Sequence, residues 1–171
     1  MLVSKSIKIR LVEESDAEFI LSLRVDDSYN KFLSKVNADV NAQRDWIKKY
    51  KKDELEQKQF YFIIERLDGT PCGTVRVYDL RDDSFCWGSW ILNKNKTRYS
   101  AIESALLVYE FGFNKLNLNN SHFEVMKGNS KVISFHEKFG AKCISEDCDN
   151  VYFTISKSDV ANSFEKFKAL I

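Results

Sequence analysis

Apolar and polar residues alternate along residues 7–12, with the aliphatic side chains on one face and the basic side chains on the other. A period of two residues predicts a β-strand. Ser15 and Asp16 then offer an N-cap, and the apolar positions from Ala17 onward recur at helical spacing, which predicts a helix. A second helix is predicted after Asn41, which we expect to cap it.

The middle of the chain changes to a run of strands. Residues 26–39 have weak periodicity and are predicted to form a loop with one helical turn. Aromatic and β-branched residues then predict strands over 60–65, 72–80 and 85–92. Short polar turns, one of them the Asp68-Gly69 pair, separate these strands. The pattern therefore predicts an antiparallel meander.

In the second half, helical and strand periods alternate. Ser100 and Glu103 form a capping-box sequence before an apolar stripe that reaches Leu116, which predicts a helix. The remaining predicted elements are a strand over 121–126, a helix over 129–139 closed by Gly140, strands over 143–145 and 151–155, and a helix capped by Ser158. Most predicted helices are separate in the sequence from the run of antiparallel strands, and one strand–helix–strand crossover lies in the middle of the chain. This order predicts an α+β fold with a single domain over residues 1–171.

Composition excludes several classes of protein. The chain has 171 residues, with 26 basic and 25 acidic side chains and a formal charge of +1. This balance gives no electrostatic reason to expect a nucleic-acid or membrane partner. No run approaches the roughly 20 apolar residues that span a bilayer, and the start lacks the apolar middle of a signal peptide. We therefore expect a cytoplasmic protein.

The cysteines and aromatic residues bear on the site. Cys72, Cys86, Cys143 and Cys148 are scattered without a CxxC pair, and the chain has two histidines. This pattern predicts free thiols and no metal site. The 13 Phe, 7 Tyr and 3 Trp residues are more than an ordinary core requires and hint at a shaped pocket.

The first stretch that bears on chemistry is the strand over 87–93 and the loop that leads to the helix at Ser100. A strand that ends at a helix N-terminus presents unpaired N–H groups and the positive end of the helix dipole. Lys94, Lys96 and Arg98 add three cations just before that helix. This stretch is either an anion site or a polar loop with solvated bases.

The second such stretch is the strand over 121–126, which leads through Asn129 into a helix that carries His136. Glu124 lies on one face of that strand. A carboxylate and an imidazole facing one cleft form an acid/base pair. The alternative is that Glu124 is a surface carboxylate and His136 a satisfied helix histidine.

These stretches resemble the GNAT N-acetyltransferases. The strand, loop and helix over 87–116 and the strand, Asn, helix and Phe-Gly over 121–140 are similar to the acetyl-CoA-binding half of that family. The opening residues 7–18 and the Gly-Thr-Val-Arg-Val-Tyr strand are similar to its first half. Within the family, the chain is most similar to the branch that acylates ribosomal-protein termini and small amines. Three motifs look most like the enzymes that N-acetylate nucleotide-linked amino sugars: Phe62-Ile-Ile-Glu, Gly73-Thr-Val-Arg-Val-Tyr-Asp79 and Gly88-Ser-Trp-Ile.

The resemblance implies a fold and an activity. The fold would be a mixed, mostly antiparallel central sheet flanked by helices. The enzyme would be an acyltransferase that moves an acetyl group from acetyl-CoA directly to a primary amine, the amine being that of a nucleotide-activated amino sugar. Its partner would be a small molecule, and the chain would be a monomer or a homodimer. The alternatives are a protein N-terminal or polyamine N-acetyltransferase, and a degenerate CoA-binding protein without catalysis.

The resemblance also implies a cofactor site. Family members bind the CoA pyrophosphate on a loop written Gln/Arg-x-x-Gly-x-Gly/Ala, and residues 94–99 take that place without either glycine. Phosphate binding would then rely on cations and on the helix start. Strand N–H groups near Ile91 and Asn93 would polarise the thioester carbonyl. The implied cofactor-binding residues are Ile91, Asn93, Lys96, Arg98, Tyr99, Ser100 and Asn129.

The implied catalytic residues are Glu124 and His136. The branch carries its general base five residues before the asparagine, where Glu124 stands. In the family pattern a tyrosine seven residues after the asparagine protonates the leaving thiolate, and His136 takes that position. A charged imidazole can donate this proton. Cys86, at a position that is glutamate in other branches, need not be a nucleophile. The implied substrate residues are Arg24, Tyr78, Trp87 and Trp90, with Asp27, Trp46 and Asp79 as further cleft candidates.

Overall fold

The computed structural model describes all 171 residues and contains one eight-stranded sheet. The strand order is β1-β2-β3-β4-β5-β6-β8-β7, and every neighbouring pair is antiparallel except β5–β6. The strands are β1 Leu2–Val3, β2 Ile7–Leu11, β3 Phe60–Arg66, β4 Pro71–Arg81, β5 Ser84–Leu92, β6 Asn120–Met126, β7 Lys142–Glu146 and β8 Asn150–Ser156. The helices are α1 Ala17–Arg24, α2 Val40–Leu55, α3 Ser100–Glu110, α4 Ser130–Phe139 and α5 Lys157–Phe167. The predicted α+β fold with a mixed, mostly antiparallel sheet is confirmed.

Helices cover both faces of this sheet. On one face α1 and α2 pack over a small cluster that includes Ile47, Tyr50 and Tyr61. On the other face α3, α4 and α5 enclose a larger aromatic core that includes Phe85 and Tyr109. The two clusters fix the sheet between two helical layers. None of the helices combines the length and the hydropathy that a transmembrane span requires.

Strands β5 and β6 pair over only two residues, Ser84 with Asn120 and Phe85 with Ser121, and then separate. A β-bulge explains why β5 bends away. Ser89 has a φ of 48°, and the register of β5 against β4 shifts at this point. A bulge puts two residues opposite one and bends the strand that carries it. The result is a gap in the middle of the sheet.

The helix α3 continues into a π-helical turn, Phe111–Lys115. Gly112 lies in this turn directly beneath the ring of Phe85. A Cβ atom at Gly112 would stand 2.1 Å from the Cε1 atom of Phe85. Only glycine therefore allows β5 and this turn to approach so closely.

Two predicted helix caps are wrong by a few residues. Helix α2 is capped by Asp39, whose side chain accepts from the Asn41 N–H, and not by Asn41. Helix α5 is capped by Ser156 in a capping box with Asp159, and not by Ser158. In both cases a neighbouring residue with the same capping chemistry occupies the position with extended backbone.

Asp16 stands at the predicted N-cap position of α1, but its side chain makes no capping hydrogen bond there. A 3-10 turn, Glu14–Asp16, precedes the helix, and the Asp16 carboxylate accepts two hydrogen bonds of 2.8 Å from the Arg10 guanidinium. Although burial opposes it, these bonds hold the pKa of Asp16 below its usual value. The bidentate pair fastens β2 to the start of α1.

Candidate active site

A cavity of about 610 Å³ opens in the gap between β5 and β6, and we call it the central cavity. Residues 87–92 of β5 form one wall and residues 123–126 of β6 form another. The start of α4 and the loop over 28–34 complete it. Because the strands separate here, backbone and side chains of both strands are accessible to a ligand.

The structure brings most of the predicted site residues to this cavity. Those that line it are Arg24, Tyr78, Trp87, Trp90, Ile91, Glu124, Asn129 and His136. Those that lie beyond it, in the segment between β5 and α3 and at the first residue of α3, are Asn93, Lys96, Arg98, Tyr99 and Ser100. No group of three or more His, Cys, Asp or Glu side chains is placed to hold a metal ion.

Glu124 is an exposed carboxylate on the cavity wall. Phe123 and Val125 on either side of it are buried, because successive side chains of β6 point to opposite faces. The Glu124 carboxylate has neither a hydrogen bond nor an ion pair. It is therefore free to accept a proton from a ligand.

His136 is buried in an aromatic cage, with 4% of its surface exposed. Its ring centroid lies 4.1 Å from that of Phe123 and 5.2 Å from that of Trp87. Burial lowers the pKa of His136 to about 3, and its Nδ1 atom has no hydrogen-bond partner. The imidazole is therefore neutral at physiological pH, and the charged, proton-donating form expected from the sequence is not the form that this cage stabilises.

One strand N–H group that faces the gap belongs to Leu92. The Asn93 N–H already donates to the Cys72 carbonyl at 2.9 Å. Because successive N–H groups of a strand point to opposite edges, the Leu92 N–H points away from β4 and toward the central cavity, which Leu92 lines. The prediction of a donor near Ile91 and Asn93 is thus refined to the residue between them.

The loop between β5 and α3 presents three exposed cations, Lys94, Lys96 and Arg98. Asn93 shapes it, since its side chain accepts from the Asn95 N–H at 2.9 Å and its carbonyl accepts from the Lys96 N–H at 3.1 Å. The Arg98 guanidinium lies 5.2 Å from the Tyr99 ring centroid. Neither Lys96 nor Arg98 has an ion-pair partner within the chain.

The predicted capping box at Ser100 is wrong. Ser100 is fully buried, and its hydroxyl accepts from the Thr97 N–H at 2.8 Å. The Glu103 carboxylate instead accepts from the backbone N–H of Ser6 at 2.8 Å and from the Ser6 hydroxyl. Because Ser100 is engaged in this way, its side chain is not available to a cofactor.

Two other N–H groups at the start of α3 are free. The backbone N–H groups of Ala101 and Ile102 donate to no acceptor in the protein. They belong to the first turn of an eleven-residue helix, where such groups and the helix dipole favour an anion. The sequence pattern pointed to this helix start but not to these two residues.

Trp87 and Trp90 face α3 and α4. The Trp87 ring centroid lies 5.6 Å from that of Tyr109 on α3. The Trp90 Nε1–H donates to the Ser104 hydroxyl on the same helix at 3.1 Å. The two tryptophans therefore form the wall of the central cavity on the α3–α4 side.

Arg24 and Tyr78 lie on the α1–α2 side of the sheet, together with an arginine that sequence reasoning missed. The Arg76 guanidinium carbon lies 4.3 Å from the Tyr78 ring centroid, and Arg76 lines the central cavity. A charged residue inside the otherwise apolar segment 73–78 was the available signal. Burial raises the pKa of the neighbouring Cys86 thiol to about 11, so this thiol is protonated, consistent with no role as a nucleophile.

A second cavity of about 360 Å³ adjoins the central one on this side, and we call it the side cavity. It lies between α1, α2 and β4. Its walls include Ile20, Arg24, Gln43, Trp46, Tyr61 and Arg76. Arg24, Ser34, Arg76 and Ser89 line both cavities, so the two cavities are adjacent.

Comparison with known families identifies the class. Residues 6–142 match the family model of the acetyltransferase (GNAT) domain. The chain therefore belongs to the GNAT acetyltransferases and is an acyltransferase. Members of this family use acetyl-CoA. None of the curated protein sequences compared with the chain matches it.

Solved structures agree with this class. Apo FdhC, described as a nucleotide-linked sugar GNAT, is 51% identical to the chain with a TM-score of 0.90, over 98% of this chain and 96% of that one. The ribosomal-protein-S5-alanine acetyltransferase of Vibrio fischeri is 13% identical, with a TM-score of 0.77 over 92% and 97% of the two chains. The spermidine N-acetyltransferase of Vibrio cholerae, solved with CoA and spermine, is 17% identical with a TM-score of 0.77, over 91% and 98%. The similarity to the last two structures, at 13% and 17% identity, shows a shared fold alone.

Proposed function

We propose that the protein is an acetyl-CoA-dependent N-acetyltransferase whose acceptor is the amine of a nucleotide-activated amino sugar. The observation that carries the acceptor class is the 51% identity, over nearly the whole chain, to a nucleotide-linked sugar GNAT. The cavities of this chain fit such a substrate, because a central cavity that holds a free carboxylate adjoins a cationic side cavity.

The acetyl-CoA site would follow the gap between the two strands. The Leu92 N–H and the wall of Ile91 would receive the thioester end. The N–H groups of Ala101 and Ile102, with Lys96 and Arg98, would hold the pyrophosphate, and these two N–H groups replace Ser100 in that role. Asn129 caps α4, and its side chain makes no hydrogen bond within the protein, so its amide is available to the cofactor.

Glu124 would act as the general base. It accepts a proton from the amine, directly or through water, as the new N–C bond forms and the C–S bond breaks. The neutral N–H of His136 donates a hydrogen bond to the departing sulfur, and the proton held by Glu124 returns to the thiolate through solvent. Every proton in this scheme is accounted for without an imidazolium.

The charges of the side cavity favour this acceptor over a polyamine. Arg24, Lys35 and Arg76 line it, and none of its lining residues is acidic. A polycation would be repelled there, whereas an acceptor with negative groups would be attracted. A protein N-terminus remains the second acceptor class. Turnover with either acceptor would distinguish an enzyme from a protein that binds CoA without catalysis.

The test is an acceptor panel read by release of free thiol from acetyl-CoA. We expect turnover with nucleotide-activated amino sugars and not with spermidine or peptides. Glu124→Gln should lower kcat by about 10²–10⁴-fold, the usual contribution of a general base, while acetyl-CoA binding is retained. Glu146→Gln is the matched control, since Glu146 is an exposed carboxylate on β7 that lines neither cavity. Faster turnover of spermidine, or unchanged kcat in Glu124→Gln, would contradict the proposal.

A further inference from the structure

The side cavity carries positive charge without a counter-charge. Arg24, Lys35 and Arg76 contribute three cationic side chains to its wall, and Glu124, the acidic residue of the central cavity, does not reach it. Neither Arg24 nor Arg76 forms an ion pair with any carboxylate of the chain. Half-buried guanidinium groups without an acidic partner are costly unless a ligand supplies the negative charge.

Both arginines also have unused hydrogen-bond donors. The Nε atoms of Arg24 and Arg76 are buried and have no partner. Arg24 is held in place because its Nη2 atom donates to the Ser34 carbonyl at 2.9 Å and to the Ser34 hydroxyl at 2.8 Å. Arg76 is held by stacking on Tyr78, which leaves the edge of its guanidinium plane open. Two guanidinium groups that are held in place and still have free N–H donors are suited to bind phosphate oxygens.

Both guanidinium groups lie in the wall of the side cavity, and so does Tyr61. Burial raises the pKa of Tyr61, and the positive charges of Arg24 and Arg76 both act against that increase. Because both arginines line the same cavity of about 360 Å³, one ligand there can contact both of them. Trp46, which is 38% exposed and lines the same cavity, provides an aromatic surface beside them.

We propose that Arg24 and Arg76 bind the diphosphate of a nucleoside diphosphate in the side cavity and so position the attached sugar in the central cavity. This inference rests on the proposed function and adds the subsite and the residues that select the acceptor. Two adjacent phosphates provide one partner for each guanidinium group, whereas a single carboxylate does not occupy both. Because the two arginines line both cavities, a sugar joined to this diphosphate extends toward Glu124.

The test is calorimetric binding of UDP, dTDP and GDP to the full chain, with uridine and inorganic pyrophosphate for comparison. We expect at least one nucleoside diphosphate to bind, and uridine to bind more weakly. Arg24→Met and Arg76→Met should each weaken that binding by about tenfold, the scale of a hydrogen bond to a charged group. Arg44→Met is the matched control, because Arg44 lies on α2 and lines neither cavity.

Acetyl-CoA affinity serves as the folding check for each variant and should equal that of the wild type. Arg24→Lys and Arg76→Lys keep the positive charge but lose the planar guanidinium group. They should therefore bind the nucleoside diphosphate more tightly than the methionine variants and more weakly than the wild type. Absence of binding by all three nucleoside diphosphates, or wild-type affinity in both methionine variants, would overturn the subsite.

The same variants separate the subsite from the function. If Arg24→Met and Arg76→Met keep the wild-type KM for a nucleotide-activated amino sugar, the subsite is wrong and the function stands. If nucleoside diphosphates bind through the two arginines and no such sugar is acetylated, the acceptor class is wrong and the subsite stands.

Discussion

The imidazole of His136 lies 4.1 Å from the ring of Phe123, centroid to centroid, and this contact helps to keep the imidazole free of charge. Other rings complete the cage, and water has almost no access to it. In the proposed mechanism this histidine would act by donating a hydrogen bond, since it does not gain a proton at neutral pH.

The first prediction concerns the titration of His136. Its ring signals should not shift between about pH 5 and 8, the range in which an ordinary histidine titrates. The chain has two histidines, so His122→Gln assigns the signals in a two-dimensional NMR spectrum. A His136 midpoint near the ordinary value would contradict the neutral form, and so would a kcat that falls as pH rises through that value.

The same group should make stability depend on pH. Below about pH 6.5 the unfolded chain protonates this histidine and the folded chain does not, down to the folded pKa of about 3. The free energy of unfolding should therefore decrease by about 1.4 kcal/mol per pH unit as pH falls through this window. Urea unfolding of His136→Phe should lack this component, and equal slopes in the two proteins would refute it.

The second prediction concerns the loop that precedes α3. Removing two of the three exposed cations in Lys96→Met/Arg98→Met should weaken acetyl-CoA binding by about 1 kcal/mol, or roughly fivefold, because exposed charge contacts are individually weak. The loss should shrink at high ionic strength, where screening is strong. Acetyl-pantetheine, which lacks the pyrophosphate, should bind both proteins equally. Lys48→Met/Lys49→Met on the exposed side of α2 is the control, and an equal effect there would indicate a non-specific contribution of charge.

The third prediction concerns Gly112 beneath Phe85. Alanine favours a helix over glycine by about 1 kcal/mol, but its Cβ atom would stand 2.1 Å from the Phe85 ring. We expect the clash to prevail, with a loss of about 1–3 kcal/mol in the free energy of unfolding for Gly112→Ala. In a Phe85→Leu background the cost should be smaller, and a double-mutant cycle measures the coupling. A more stable Gly112→Ala protein would show that helix propensity prevails instead.

The sequence predicted most elements because hydrophobic alternation is a local property of the chain. The strand β1 was missed, since two residues are too few to show a period. Caps were less predictable, because the partner of a capping side chain is set by tertiary structure. Glu103 shows this well, as it is engaged by Ser6, which is 97 residues away in the sequence.

The candidate site was predicted in the same uneven way. Motif spacing identified Glu124 and His136, and both line the central cavity. Spacing could not indicate that His136 lies inside an aromatic cage, because its neighbours come from β5, β6 and β8. Arg76 was missed for a related reason, since only the packing of α1 and α2 over β4 creates the cavity that it lines.

The short pairing of β5 with β6 places two open strand edges inside the sheet, where edges are normally absent. At the rim of a sheet such edges invite other polypeptides and promote aggregation. Here the two edges lie inside the sheet, where the strands separate at the bulge at Ser89 and line the central cavity. The fold thus places backbone groups that can bind a ligand in the middle of the sheet and not at its rim, where another chain could add a strand.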